Sequence, residues 1–144
     1  MILYLDTSCL AKAYLEEAGS AEVREKMSRS SMTASSWIAY PEMHCAFSRR
    51  HREGTITARE HREQLDWFER DWADFMKIKC DERISRLAGE MASRHRLRGM
   101  DSIHLASAIQ LRRQNQSGDF EFLSADIRLN EAAKKEKFHK LFSA

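Results

Sequence analysis

Two acidic residues follow short apolar runs at opposite ends of the chain. Asp6 comes directly after Ile2 to Leu5, and Asp126 comes shortly after Phe120 to Leu123. Runs of this kind predict buried strands, and an α/β sheet binds its ligands beyond the carboxyl ends of its strands. Taken alone, each acid is most simply a helix N-cap that accepts hydrogen bonds from backbone N–H groups. Taken together, the two acids become candidates for one site.

Three further acids stand out from those on solvated helix faces. Asp101 precedes a helix that is apolar on most sides, although an N-cap would explain it equally well. Glu42 shares a predicted helix face with apolar residues, where an unpaired carboxylate is costly, or it is a first-turn acid that faces the helix dipole. Asp119 is most simply a turn residue in Ser-Gly-Asp, yet it could support the same cleft.

A cluster of like charges needs a compensating cation. Carboxylates that are brought together repel each other, and their pKa values rise unless a cation lies between them. Mg²⁺ and Mn²⁺ are hard cations that prefer oxygen ligands. Cys9, Cys45 and Cys80 form no zinc-spaced set, and we interpret them as small buried apolar groups in a reducing compartment. The sequence therefore favours an oxygen-liganded divalent metal.

Other catalytic chemistries lack their sequence signatures. Ser8 has no G-x-S-x-G context and no convincing histidine partner, which argues against a serine hydrolase. The chain contains neither G-x-x-x-x-G-K-[ST] nor G-x-G-x-x-G, so the phosphate-binding loops of nucleotide folds are missing. His104 lies on the apolar helix after Asp101, where we expect a core imidazole bonded to backbone rather than a ligand.

The elements that must position these acids alternate between strand and helix. Only one proline and five glycines occur in 144 residues, so helices should dominate. Further strands are predicted at Met32 to Ala34, Phe75 to Cys80 and Phe138 to Phe142. Helices are predicted at Ser8 to near Gly19, Ser20 to Met27 and Ser36 to Arg52. Another helix begins at the capping box formed by Thr57 and Glu60. The last three are predicted at Asp81 to His95, from Met100 onward, and at Ile127 to Lys135.

This alternation predicts a three-layer α/β/α fold with a short central parallel sheet, in one domain that spans residues 1–144. No apolar run approaches the roughly 18 residues of a membrane span, and no signal peptide is recognisable, so the cytoplasm is the expected compartment. The net charge of +2 becomes +6 when four clustered carboxylates are set aside. A positive body around a negative site suits a polyanionic substrate.

Four segments in order resemble a known family. They are YLDTSCLAKAY, SSWIAYPEMHCAFSRRHREG, RHRLRGMDSIHLASAI and FEFLSADIRLNEAAKKE. Together they are similar to PIN-domain nucleases, specifically the VapC-type toxins of type II toxin–antitoxin pairs, and the resemblance covers the whole chain. It implies a PIN-like fold.

The resemblance also implies roles for individual residues. Catalytic and metal-binding roles fall on Asp6, Glu42, Asp101 and Asp126. Ser8 becomes a supporting hydroxyl beside the first acid, Asp119 a lesser member of the metal set, and His104 a packing residue. The last acid of the family often follows Thr or Ser plus one residue, and Ser124 keeps that position.

The implied activity is a metal-dependent endoribonuclease. Water activated by Mg²⁺ or Mn²⁺ attacks the phosphodiester, with Asp6 or Asp101 as a possible proton acceptor. Because water is the nucleophile, the preference for RNA must come from binding. Five arginines are candidates for phosphate contacts, although each of them taken alone is more simply a solvated surface residue: Arg49, Arg50, Arg52, Arg96 and Arg98.

The implied partners are the RNA substrate, a cognate antitoxin and a second copy of the chain, without a membrane. The antitoxin is expected to contact residues 8 to 28 and the long helices that follow. Trp37, Tyr40, Trp67 and Trp72 could belong either to the core or to that interface.

Two other functional classes stay open: a catalytically idle PIN module that only binds RNA or protein, and a receiver-like phospho-acceptor domain. The receiver reading is weakened because Asp6 has no acidic neighbour.

Overall fold

A computed structural model describes residues 1–115 and 118–138. The strands are β1 (Ile2–Leu5), β2 (Met32–Ser36), β3 (Met76–Ile78) and β4 (Phe120–Leu123). The helices are α1 (Thr7–Tyr14), α2 (Ser20–Arg29), α3 (Ala39–Arg52), α4 (Ala58–Asp74), α5 (Glu82–His95), α6 (Gly99–Gln114) and α7 (Ile127–Lys135).

The four strands form one parallel sheet in the order β3-β2-β1-β4. From β1 the chain proceeds outward through β2 to β3, and it then returns to place β4 on the other side of β1. The strand order therefore reverses between β1 and β4, which is the switch point where open α/β sheets bind ligands. Leu5 pairs with Leu123, so the two strands end side by side.

Helices cover both faces of this sheet, as the sequence predicted. Alternate residues of β1 point to opposite faces. Leu3 and Leu5 pack with α1 to α4 in one apolar cluster. Tyr4 packs with α5, α6 and α7 in another, which includes Leu105 and Leu129. The helix-rich α/β/α fold with a short parallel sheet is confirmed.

Helix α6 is buried on most sides, in agreement with its nearly continuous apolar sequence. Eight of its sixteen residues are buried, from Ser102 to Leu111. Its first turn must then open beside the core, which brings the Asp101 backbone to the edge of the sheet.

No helix among residues 1–115 and 118–138 is long and apolar enough to cross a membrane.

Several element boundaries differ from the predicted ones. The helix expected from Ser36 begins at Ala39, because Ser36 completes β2. Pro41 lies in the first turn of α3, where a missing N–H removes no intrahelical bond. Helix α1 ends at Tyr14, well before Gly19.

Two further expectations have mixed outcomes. The strand predicted at Phe138 to Phe142 has only Phe138 within the described residues, and that residue is not in a strand. Cys9 is buried as expected, but Cys45 and Cys80 are exposed, because both lie on the outward side of their segments.

Helix α5 ends on an unusual backbone conformation. Its last turn is closed by Arg96, which has φ 54° and ψ 43° in the left-handed region. Glycine is the usual residue in this position, since a side chain there costs about 1–2 kcal/mol. The capping box of α4 is present as predicted, with both hydrogen bonds between Thr57 and Glu60.

Candidate active site

Asp6 is buried at the carboxyl end of β1 and serves as the N-cap of α1. Its side chain is 3% exposed, and its Oδ1 accepts a hydrogen bond of 3.0 Å from the backbone N–H of Cys9. Ser124 donates to its Oδ2 at 2.6 Å. Burial raises the pKa of the Asp6 carboxyl, although nearby His104 and the hydrogen bonds from Ser124, Cys9 and Ser8 oppose that effect. Asp6 is therefore an N-cap, and its role in a site stays a prediction.

Ser8 holds Asp6 rather than capping the helix. Its hydroxyl lies 2.7 Å and 2.9 Å from the two carboxylate oxygens of Asp6, to which it donates. In turn it accepts the backbone N–H of Ala125 at 2.9 Å, from the loop after β4. Ser8 thereby ties the ends of β1 and β4 together, as a supporting residue of the first acid.

Asp126 and Asp101 complete a group of three aspartates. Asp126 is the N-cap of α7 and accepts the backbone N–H of Leu129 at 2.9 Å. Asp101 lies half-buried in the first turn of α6. Burial raises the pKa of Asp101, and the negative charges of Asp126 and Asp6 raise it further. We call these three residues the aspartate cluster, in which Asp126 and Asp6 both act on the charge of Asp101.

Glu42 approaches the same edge from α3, held by a separate set of contacts. Its Oε1 accepts a hydrogen bond of 2.6 Å from the Thr7 hydroxyl and lies 3.1 Å from Nε2 of His104. Burial acts to raise the pKa of Glu42, but the hydrogen bonds from His104 and Thr7 outweigh it and lower the pKa below its usual value. Glu42 is thus fixed in its charged form.

His104 connects Glu42 to the central strand. Its ring is 2% exposed, and its Nδ1 lies 2.9 Å from the Tyr4 hydroxyl. A neutral phenol that donates to Nδ1 leaves the proton of the imidazole on Nε2, where it faces Glu42 and Thr7. The expectation of a backbone-bonded imidazole is wrong, because all of its hydrogen-bond partners here are side chains.

Asp119 does not join the aspartate cluster. It precedes β4, and its backbone carbonyl accepts the N–H of Ile2 at 2.9 Å, at the amino end of both strands. The length of β4 separates it from Asp126 by about 13 Å. Its side chain is exposed at the opposite edge of the sheet.

The five candidate arginines divide into two groups. Arg49 and Arg52 lie seven and ten residues beyond Glu42, which places them about 10 Å and 15 Å away along α3. Arg50 is paired with Glu17 at 2.7 Å. The structure therefore does not bring the α3 arginines to the aspartate cluster.

Arg96 and Arg98 have a different position. Arg98 occupies the N-cap position of α6, and its charge partly opposes the rise in the pKa of Asp101. Arg96 lies two residues earlier on the exposed turn between α5 and α6. Arg98 is thus near the aspartate cluster.

The donor chemistry of the site fits a hard divalent cation. Within residues 1–115 and 118–138, no three His, Cys, Asp or Glu side chains are arranged to enclose a metal ion. The repulsion that raises the pKa of Asp101 is nevertheless what a cation relieves. Asp101 and Asp126 keep access to solvent, and their carboxylate oxygens are the ligands that such a cation prefers.

Sequence reasoning did not predict the contacts of three residues that organise the site. Thr7 holds Glu42, Ser124 holds Asp6, and Tyr4 holds His104. The adjacent hydroxyls in Asp-Thr-Ser and the Ser in Leu-Ser-Ala-Asp were available signals for the first two. Tyr4 carried no signal, because it reads as one apolar residue in a buried strand.

Comparisons with known proteins agree with this architecture. The PIN domain family matches residues 3–135. The chain is 33% identical over 112 residues to Ribonuclease VapC45 of Mycobacterium tuberculosis (strain CDC 1551 / Oshkosh). It is equally similar to Ribonuclease VapC49 of Mycobacterium tuberculosis (strain ATCC 25618 / H37Rv), and in both cases 75% of each protein is covered.

Solved structures share the fold at low sequence identity. VapBC2 from Rickettsia felis, bound to a DNA fragment from its promoter, has a TM-score of 0.65 at 15% identity over 99% of this chain and 100% of that one. A toxin-antitoxin complex from Klebsiella pneumoniae has a TM-score of 0.62 at 18% identity over 86% of each chain. The chain therefore belongs to the PIN-domain family, among its VapC ribonucleases.

Proposed function

We propose that this chain is a divalent-metal-dependent endoribonuclease that acts as the toxin of a toxin–antitoxin pair. The observation that carries the proposal is the aspartate cluster at the switch point between β1 and β4, where Ser8 ties the strand ends that present Asp6 and Asp126 and both of these acids raise the pKa of Asp101. Membership of a family whose curated relatives are named ribonucleases supplies the reaction class. The proposed site of action is the cytoplasm, where its RNA substrates are found.

The four acids would divide the binding of the metal among them. Asp6, Asp101 and Asp126 supply the oxygens of the aspartate cluster, and Glu42 supplies the oxygen that Thr7 and His104 leave free. When bound there, Mg²⁺ or Mn²⁺ would lower the pKa of a water molecule and neutralise charge on the phosphate.

Asp101 is the better proton acceptor of the two candidates. Both oxygens of Asp6 already accept hydrogen bonds from Ser8, Ser124 and the Cys9 backbone. Asp101 is half-buried and open to solvent, so a water molecule can reach its carboxylate. Proton transfer to its carboxylate requires no hydrogen bond of the aspartate cluster to break.

The phosphate of the substrate must be held against this negative site. Among the candidate arginines, Arg98 at the start of α6 is the one whose charge acts on Asp101 and lowers its pKa. Nothing in this arrangement calls for the ribose 2′-hydroxyl as a nucleophile, so the preference for RNA would arise from binding.

The first test is cleavage of single-stranded RNA by the purified chain with Mg²⁺, with Mn²⁺ and with excess EDTA. Asp101→Asn should lower kcat by about a thousandfold, because it removes a carboxylate from the aspartate cluster. Asp119→Asn is the matched control, since its side chain lies at the other edge of the sheet, and it should retain full activity. Full activity of Asp101→Asn, or cleavage that persists in EDTA, would contradict the assignment.

A cognate antitoxin is the proposed protein partner. The solved structures that share this fold are described as toxin–antitoxin complexes. Trp67 on α4 is 37% exposed, packs edge-on against Tyr14 of α1, and lies under Arg24 of α2, so an exposed aromatic surface adjoins the helices of residues 8 to 28. Trp72 belongs to the core at 5% exposure and is not part of that surface.

The antitoxin proposal predicts a purifiable complex. Coexpression with the product of the adjacent gene should give copurification, and Trp67→Ala should weaken it while RNA cleavage by the free chain stays intact. Retention of the complex by Trp67→Ala would exclude this surface. Light scattering of the free chain tests the proposed homodimer separately.

A further inference from the structure

A basic cavity lies beside the aspartate cluster, between the end of α5 and the outer side of α7. Its volume is about 290 Å³, and its lining residues are His95, Arg96, Arg128, Glu131, Ala132 and Lys135. Three cations thus face one another across a space that contains a single carboxylate. We call this space the α5–α7 cavity.

The chain places the α5–α7 cavity at the rim of the site. Arg96 is five residues before Asp101, on the turn that leads into α6, and Arg128 is two residues after Asp126, in the first turn of α7. Lys135 lies seven residues farther along α7, about 10 Å from Arg128. The cavity therefore begins next to the aspartates and extends away from them along α7.

The backbone of Arg96 gives an independent reason to assign this cavity a role. Among the residues that the structure describes, Arg96 and Lys137 are the non-glycine residues with positive φ, at 54° and 70°. Glycine would close α5 without that strain. A side chain kept at a strained position, and projecting into a cavity, indicates use of that side chain.

We propose that the α5–α7 cavity binds a backbone phosphate of the RNA strand next to the scissile bond. This proposal rests on the proposed function. The aspartate cluster repels phosphates, so the binding energy for a polyanion must come from cations outside it. A strand whose scissile phosphate lies at the aspartates would pass Arg128, two residues beyond Asp126, and continue along the cavity that Arg96 also lines. The α3 arginines, in contrast, are about 10 Å or more from Glu42 along their helix.

An acidic segment of a protein partner would also suit a basic cavity. The position of the cavity favours RNA, because Arg128 at its inner end is two residues from Asp126, one of the acids that would cut the strand. Poly-glutamate of matched charge therefore serves as the competing ligand in the test.

The experiment measures equilibrium binding of a fluorescent single-stranded RNA to the Asp101→Asn protein, in which the RNA stays intact. Adding Arg96→Gly should weaken binding about fivefold at 0.1 M salt and reduce the slope of log Kd against log salt by about 0.7, the loss of one phosphate contact on a single strand. Because glycine relieves the left-handed strain, Tm should stay the same or rise by about 2 °C. Arg128→Ala should weaken RNA binding by a similar factor.

Lys137→Gly is the matched control. It removes the same charge and the same backbone strain, but Lys137 does not line the α5–α7 cavity. It should leave RNA affinity within twofold of the parent.

The proposal is overturned if Arg96→Gly binds RNA as the parent does, or if Lys137→Gly loses as much affinity, since that would indicate diffuse charge attraction. It is also overturned if poly-glutamate binds more tightly than RNA and depends on Arg96, which would assign the cavity to a protein segment. If the wild-type chain fails to cleave RNA while Arg96→Gly still weakens RNA binding, the cavity assignment stands and the proposed function fails.

Discussion

At the scale of single residues, two of the four acids of the site are each supported by their own partners. Asp6 is held by the hydroxyls of Ser8 and Ser124, and Glu42 is held by Thr7 and His104. Two adjacent residues, Thr7 and Ser8, thus serve different acids. Fixed partners of this kind orient a ligand before the metal arrives, and their loss commonly reduces metal affinity or activity by 10 to 100-fold.

The Tyr4 hydroxyl is the sharpest test of that support. Tyr4→Phe removes the donor to Nδ1 of His104, which leaves a buried nitrogen unpaired or allows the tautomer whose Nε2 no longer donates to Glu42. We expect kcat to fall about tenfold and the free energy of unfolding to fall by about 1–3 kcal/mol. Steady-state kinetics and urea unfolding measure the two effects.

Tyr14→Phe is the control for this change. Tyr14 is also buried and donates to Asp71 at 2.7 Å, at the opposite end of α1 from Asp6. It should lose stability and keep kcat. If Tyr4→Phe leaves kcat unchanged, the Tyr4 hydroxyl has no part in catalysis. The same substitution is also made in the Glu42→Gln protein. If it lowers kcat there by the same factor as in the wild type, the hydroxyl does not act through Glu42.

At the scale of elements, the sequence predicts what local pattern determines and misses what distant contacts determine. The four strands were visible because short apolar runs are bounded by polar residues. The last residues of β2 were not predicted, because Ser35 and Ser36 are polar. Ser35 is accommodated in the buried strand because its hydroxyl donates to the backbone carbonyl of Leu5 at 2.7 Å.

The same division applies to the site. Asp6 and Asp126 were predictable because each follows a strand whose carboxyl end lies at the switch point. The support of Glu42 was not, since Thr7 is 35 residues away from it and Tyr4 is 100 residues away from His104. Asp119 was grouped with the metal-binding acids, but a strand separates it from Asp126. A turn motif in the sequence does not show at which end of the sheet the turn lies.

At the scale of the whole molecule, the fold holds like charges together at a cost in stability. Parallel pairing of β1 with β4 sets the acids side by side, and the pKa of Asp101 is raised by burial, Asp126 and Asp6. An acid whose folded pKa is above its unfolded value binds more protons when folded. Its charged form therefore destabilises the fold as the pH rises through the folded pKa, and the penalty disappears below the unfolded pKa.

Asp101→Asn should consequently be more stable than the wild type when metal is removed. In EDTA at pH 7.5 we expect its Tm to be higher by about 1–2 °C, a small effect because solvent screens this half-exposed carboxyl. The difference should shrink as the pH is lowered toward the unfolded pKa, where both side chains are neutral. Thermal denaturation followed by circular dichroism across that pH range measures the effect, and Asp119→Asn should match the wild type throughout.

Addition of metal should reverse the order of the two proteins. A ligand that binds only the folded state stabilises it by about 2.7 kcal/mol at a hundred times its Kd. Mg²⁺ or Mn²⁺ should therefore raise the Tm of the wild type and of Asp119→Asn, while Asp101→Asn responds weakly because the aspartate cluster is incomplete. Equal metal-induced shifts in all three proteins would show that the cation binds elsewhere. A wild type that is more stable than Asp101→Asn in EDTA at neutral pH would mean that the aspartates do not repel one another, and the physical reason for placing a cation among them would be lost.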